Sequence, residues 1–480
     1  MLESFLWHDY ETFGADPLRD RPAQFAAIRT DTDLNIIDEP MMFYCRPADD
    51  YVPDPRATLI TGITPQKALE DGLCEAEFIS RVNEAFAVPG TCGAGYNSIR
   101  FDDEVTRHTL YRNLRDPYGR EWQNGCCRWD IIDVVRLTYA LRPEGIEWPR
   151  KPDGAPSFRL EDLTQANGIA HESAHDAMSD VYATIAVARL IRERQPRLYD
   201  YCLGLRDKKK VLEMLDTTSL KPVLHVSSRY PASSACAALV APLAMHPTNR
   251  NAVIVYDLRE DPTDLLEASV EDIQARVFVA AADLPEGQSR YALKAVHANK
   301  CPAIAPASLL KSLSEEQLQG IGLERNQLRR NLKLLRQSED LPRRVQEAFG
   351  AQQFAAASDP DEMLYGGGFL SPQDRKQLDF VLAQPVELLG ELDLNFTDQR
   401  LPEMLFRYRA RNFPQTLDGE EQERWEAFRQ ERLLKGGPGW RTLPQYFEVL
   451  KGLDAQDLPA PQRLLLQDLQ FYGESLIPYG

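Results

Sequence analysis

Short apolar stretches of strand length, broken by polar turns, fill the first 45 positions, as β-strands with their two-residue repeat do. FLWHDYE (5–11), QFAAIRTD (24–31) and NIIDEPMMFYC (35–45) read as three short strands separated by turns rich in Asp, Pro and Asn. The period then lengthens. Thr64-Pro65 supplies a helix cap and first residue, and FISRVNEAF continues at helical spacing. TCGAGYN (91–97) predicts a buried strand and turn leading into the helix DDEVTRHTLYRNL, whose acids fall in its first turn. SFRLEDLTQANGI and SAHDAMSDVYATIAVARLIRER add two helices, and Pro196 is a natural stop. A strand meander followed by mixed helices and strands predicts an α/β domain over residues 1–196.

The pattern changes after that. CLGLRDKKKVLEML is helical and basic. KPVLHVSSRYP, SACAALVAPLA, NAVIVYDL and RYALKAVHANKCPAIA read as strands, which predicts a small β-rich domain over 197–350. Residues 351–480 are mostly amphipathic helix: SPQDRKQLDFVLAQ, LPEMLFRYRARNF, EEQERWEAFRQERLL and QRLLLQDLQFYGE, with KGGPG at 435–439 as a turn.

Composition narrows the class. With 43% hydrophobic and 27% charged residues, this is the make-up of an ordinary globular protein. No run of about 18 apolar residues and no basic-led apolar opening is present, so a cytoplasmic protein without membrane attachment is expected. Eight cysteines without a C-x-x-C pair predict reduced thiols and no zinc site. The net charge of −18 argues only weakly against a polyanionic partner, because nucleic acid is held by local grooves. Residues 1–196 carry 33 acidic and 21 basic side chains, so −12 of that charge sits in the first domain.

Within that acidic domain the opening strand raises a question. Asp9 and Glu11 are two residues apart and share one strand face, while Tyr10 points the other way. The D-x-E pattern recurs at Asp102–Glu104 and Asp418–Glu420, so spacing alone carries little. Context does more: an unpaired charge at the end of a buried strand is costly, and two close carboxylates repel unless a cation lies between them. Hard divalent cations such as Mg²⁺ take oxygen ligands. Asp102, at the start of a helix, and Asp180, beside an apolar helical stripe, are further candidates, although Asp102 would also serve as an ordinary cap. His175 precedes Asp180 by five residues, about 500° of helical rotation, so the two face one cavity only if His175 lies in a frayed first turn. Ser173 and Asp176 form a capping-box-like start at that point.

DYE, YNSIRFDDEVTR and HDAMSD, in that order, resemble the three motifs of the DEDD exonuclease superfamily in its histidine-bearing DEDDh branch. HDYETFG, DRPAQFAAIRTD, TGITPQ, YALRPEGI, PSFRLE, AHDAMSDVYATIA, HPTNRNAVI and YRARNFP together resemble bacterial exonuclease I, from residue 5 to about 415, with a looser likeness beyond. The resemblance implies a ribonuclease-H-like nuclease domain, an SH3-like β-barrel domain and a helical C-terminal domain. It implies that Asp9, Glu11, Asp102 and Asp180 hold two Mg²⁺ ions, for which Mn²⁺ can substitute, and that His175 is the general base. The implied activity is processive 3′ to 5′ degradation of single-stranded DNA to nucleoside 5′-monophosphates, in DNA repair and recombination, by a monomer. All five positions are intact.

Holding a single strand calls for cations and aromatic faces. FRYRARNF supplies both, in Arg407, Tyr408, Arg409, Arg411 and Phe413, and the family likeness turns an otherwise ordinary basic helix toward DNA. The family also binds the acidic tail of the single-stranded DNA-binding protein; the matching positions are Arg142, Tyr201 and Lys221. Two alternatives stay open at this point: a DEDDh exoribonuclease or proofreading-type nuclease, whose catalytic motifs are the same, and a non-catalytic single-strand clamp, which would predict a degraded acid set. No D-x-D-x-D-G loop of a structural Ca²⁺ protein is found.

Overall fold

A computed structural model describes residues 2–171, 176–351 and 357–478. The chain forms two compact units. The first comprises residues 1–127, 172–182 and 356–480, and the second 128–171 and 183–355.

The first unit is built on β1 (Ser4–Thr12), β2 (Pro22–Thr30) and β3 (Met41–Tyr44), then α1 (Pro55–Thr61), α2 (Pro65–Asp71), α3 (Glu75–Ala87), β4 (Thr91–Gly95) and α4 (Asp102–Arg112). After these come β5 (Cys127–Asp130), α5 (Ile131–Leu141), α6 (Leu160–Ala166) and α7 (Ala177–Arg194), and the chain passes between the units within β5 and within α7. The sheet order is β3-β2-β1-β4-β5, with β1 antiparallel to β2 and parallel to β4. Strand alternation sorts its two faces. Leu6, Tyr10, Phe25 and Ala27 point to one side and pack with Phe78, Ile79, Val82 and Phe86 of α3 and Val105 and Leu110 of α4. Asp9 and Glu11 therefore face the other side. The helices start where their residues dictate: Thr64 caps α2 by accepting from the Lys67 N–H, with Pro65 in the first position.

Residues 357–478 are helical and pack within the same unit. Leu378, Val381, Leu401, Met404 and Tyr408 share a core with Ala76, Tyr111 and Leu114, while Leu443, Tyr446, Leu469 and Tyr472 form another with Val52.

The second unit contains β6 (Val223–Val226), β7 (Ala237–Met245), β8 (Ala252–Asp257), β9 (Leu293–His297) and β10 (Ile304–Pro306), an antiparallel sheet ordered β10-β6-β7-β8-β9. Val223, Ala238, Val240, Val253, Val255 and Ile304 line its core with Leu205, Val211 and Leu215. All eight cysteines are free. Among the described residues no helix is long and apolar enough to cross a membrane.

Three sequence expectations change in detail. The third strand is only Met41–Tyr44, because Pro40 lacks the N–H that would extend its ladder. RYALKAVHANKCPAIA is not one strand: a 3₁₀ turn at Ala298–Lys300 and a left-handed Cys301, at φ 45°, divide it into β9 and β10. The stretch between β8 and β9 also holds two short helices, Thr263–Glu267 and Val270–Val277, which the strand reading passed over.

Candidate active site

β1 carries Asp9 and Glu11 to its C-terminal end. There β4, which runs parallel to it from Thr91 to Ala94, gives way to the turn that starts α4. That turn is tight: Asn97 is left-handed at φ 65°, and a Cβ on Gly95 would meet the His8 carbonyl oxygen at 2.9 Å. The close approach lets Asp102 take the place of the lost ladder partner, its Oδ1 accepting from the Tyr10 N–H at 3.1 Å. Thr106 fixes this arrangement from one turn on, donating to the Asp102 carbonyl at 2.8 Å and lying 2.9 Å from the Tyr10 hydroxyl. Asp102 is 4% exposed and is the first residue of α4 behind Phe101 at the N-cap position, so it does not serve as the ordinary cap.

α7 supplies the fourth acid. Asp180 lies in its first turn, and carboxylate oxygens of Asp9, Glu11 and Asp180 all fall within 4.8 Å of one another. Gln24, opposite Glu11 on β2, anchors the helix start by accepting from the Ala177 N–H at 3.4 Å. Burial raises the Asp9 carboxyl well above its usual range, and Asp102, Glu11, Asp180 and Asp176 raise it further. Glu11 is pushed up to about 8 by burial first and then by Asp180, Asp102 and Asp176. Mutual repulsion of this kind is relieved when a cation enters. The donors are all carboxylate oxygens, a set that fits a hard divalent ion such as Mg²⁺ or Mn²⁺ and not a soft one. His175 lies outside the described residues.

Sequence reasoning treated Asp176 only as part of a helix start. The structure adds a second property: its charge acts on both Asp9 and Glu11, while its carbonyl accepts from the Asp180 N–H at 3.0 Å. The available signal was its place four residues before Asp180, one helical turn. Gln24 was also missed, and nothing local in the sequence marks it.

The FRYRARNF run is placed differently from the expectation of a DNA-facing row. It lies in the helix Leu401–Asn412, and the structure turns its cations inward. Arg407 pairs with Glu403 at 2.7 Å and Asp359 at 2.6 Å, Arg409 with Glu421 at 2.6 Å, and Arg411 with Asp50 at 2.8 Å and Asp361 at 2.7 Å. Tyr408 is buried in the helical core, with the Phe413 ring edge-on at 5.6 Å. The physical reason is neutralisation: each of these guanidiniums is paired with carboxylates of the same unit. In the second unit, Arg142 caps the end of α5 and donates to Ser312 Oγ at 3.3 Å. Tyr201 donates to the Ile304 carbonyl at 2.9 Å, and Lys221 is exposed just before β6.

Three family models match the chain: "Exonuclease" over residues 6–188, "Exonuclease I SH3-like domain" over 206–351 and "Exonuclease I C-terminal domain" over 358–476. The chain is 50% identical to exodeoxyribonuclease I of Escherichia coli (strain K12), over 99% of this chain and 98% of that one. It resembles the structure of a moderately thermophilic exonuclease I from Methylocaldum szegediense, at a TM-score of 0.94 and 52% identity, with 99% of both chains covered. A zinc-bound form of the E. coli exonuclease I complex with single-stranded DNA superposes at a TM-score of 0.93 and 46% identity, covering 99% of this chain and 100% of that one. A ribonuclease-H-like nuclease fold, an SH3-like barrel and a helical C-terminal region thus stand in one polypeptide with converging acids, and the chain belongs to the exonuclease I family.

Proposed function

We propose that this chain is a divalent-metal-dependent exodeoxyribonuclease that degrades single-stranded DNA from the 3′ end. The observation that carries the reading is the convergence of Asp9, Glu11 and Asp180 oxygens within 4.8 Å, with Asp102 held against the same strand. Asp9, Glu11, Asp102 and Asp180 would hold two Mg²⁺ ions, or Mn²⁺ in their place. Ions bound there favour deprotonation of a water near neutral pH and stabilise charge on the leaving oxygen of an in-line displacement. His175 takes the water's proton, an imidazole being neutral and basic near pH 7. The water oxygen bonds to the terminal phosphorus and the bond to the upstream 3′ oxygen breaks. A nucleoside 5′-monophosphate leaves, and the upstream 3′ oxygen takes up a proton from solvent to become the hydroxyl for the next cycle.

The same reading divides the chain into a nuclease domain (1–196), an SH3-like domain (197–350) and a helical domain (351–480). It assigns the chain a processive, monomeric mode of action in DNA repair and recombination. Arg142, Tyr201 and Lys221 would receive the acidic tail of the single-stranded DNA-binding protein, a terminal carboxylate being suited to cations above an apolar floor.

Purified protein incubated with end-labelled single strands of DNA and RNA tests the central claim. Mononucleotide release from DNA 3′ ends that EDTA abolishes and Mg²⁺ restores is the expected result. Preference for RNA would favour a DEDDh exoribonuclease, and binding without release a clamp.

A further inference from the structure

The face of the sheet that carries the acids extends beyond β1. Antiparallel partners directly opposite each other put their side chains on the same face, about 5 Å apart at Cα. Glu11 is opposite Gln24, and Gln24 is opposite Tyr44, so the three form one row across β1, β2 and β3. Asp9, Ala26 and Met42 form the neighbouring row. Tyr44 thus stands two strands, about 10 Å, from Glu11 on the acid-bearing face. β3 reaches solvent on this face: Met42 is 47% exposed and Tyr44, at the end of the strand, is half-buried.

Over this end of the face stands Lys67 of α2. Its Nζ lies 4.9 Å from the centroid of the Tyr44 ring, and the side chain is otherwise exposed. Hydrogen bonding to Tyr44 raises the Lys67 pKa, with Asp71 and Asp176 adding to it, so the group is cationic throughout the neutral range. Asp176 is the same carboxylate whose charge reaches Asp9 and Glu11. A lysine is a long, mobile point charge, and here an aromatic ring holds it on the acid-bearing face of the sheet.

We propose that Lys67, held on the Tyr44 ring, binds a backbone phosphate of the single strand upstream of the scissile one. The inference rests on the function proposed above. It adds a positively charged rim to the site, at a position that none of the acid motifs contains. A point charge contacts phosphate without reading the base, so the contact is independent of sequence.

Full-length Lys67→Ala, Lys67→Glu and Lys67→Arg chains test it by mononucleotide release from a dT oligomer over a range of salt. Expected are a KM raised about fivefold in Lys67→Ala, more in Lys67→Glu, and kcat within about twofold of the parent. The slope of log KM against log salt falls by about 0.7, the value for one lost phosphate contact on a single strand, and Lys67→Arg restores both. Unchanged KM and slope, or a loss confined to kcat, overturn the proposal. Anisotropy of the same labelled oligomer without divalent ion decides the matter apart from turnover. Weaker binding by Lys67→Ala supports the contact, and equal binding overturns it. A parent chain that releases no mononucleotide sinks the functional reading instead, while the anisotropy comparison still decides Lys67.

Discussion

Glu11 and Asp50 are both buried carboxylates of the first unit, and their surroundings treat them in opposite ways. Glu11 has acids for neighbours, Asp9, Asp102 and Asp180, and is pushed up to about 8. Asp50 is reached by Arg411 at 2.8 Å and Arg432 at 2.9 Å; burial alone would raise its pKa, but these cations hold it below the ordinary carboxylate range. Asp361, between Arg411 and Arg407, is held down in the same way. Asp50 and Asp361 meet cations of the same unit, whereas the charges that reach Glu11 are those of other acids. What separates the two sites is the sign of the charge beside the acid and not the burial of the acid.

The comparison can be broken at its largest effect first. Asp180→Ala removes one member of the acid cluster and is expected to lower mononucleotide release about 10⁴-fold, while oligonucleotide binding and the unfolding midpoint stay close to the parent. Loss of the fold instead would make Asp180 a structural residue, like Asp361. Asp361→Ala leaves Arg407 and Arg411 buried with fewer partners, and urea denaturation should show a loss of about 3–5 kcal/mol. A loss below about 1 kcal/mol would show that the arginines are solvated after all.

Acid sharpens the contrast. Glu75 lies against Arg112 at 2.6 Å, and although burial would raise its pKa, Arg112 and Arg21 bring it down to about 2. A folded-state pKa below the unfolded value of about 4.3 contributes stability that is complete above that value and is lost as pH falls toward 2. Asp50 and Asp361 add to the loss in the same direction. Thermal melts from pH 6 downward should therefore show a falling midpoint below about pH 4.5, and Glu75→Gln should flatten this dependence. The smallest effect belongs to Glu77, half-exposed on α3 and paired with Arg81 at 2.6 Å: Glu77→Ala is expected to change stability by no more than about 0.5 kcal/mol in the same urea assay.

Local pattern made the acid cluster legible. Two-residue alternation puts Asp9 and Glu11 on one face whatever the rest of the chain does, and a helix start at Ala177 brings Asp180 into a first turn. Arg407 and Arg411 show where such reading stops. A row of cations and aromatics looks the same in one dimension whether it faces a phosphate or a buried acid. Their partners Asp50, Asp359 and Asp361 lie between 46 and 361 positions away, and nothing in FRYRARNF points to them. The short helices after β8 escaped for a different reason. Five and eight residues are too few to establish a helical period against the surrounding strands.

Asp102 devotes one oxygen to the main chain between Asp9 and Glu11. The spacing of these three acids is therefore tied to covalent backbone geometry, and drift in a surface loop has little leverage over it. Warming the protein should leave the mutual spacing of these three acids intact up to the point of cooperative collapse, with no preceding range in which the scaffold persists while they drift apart.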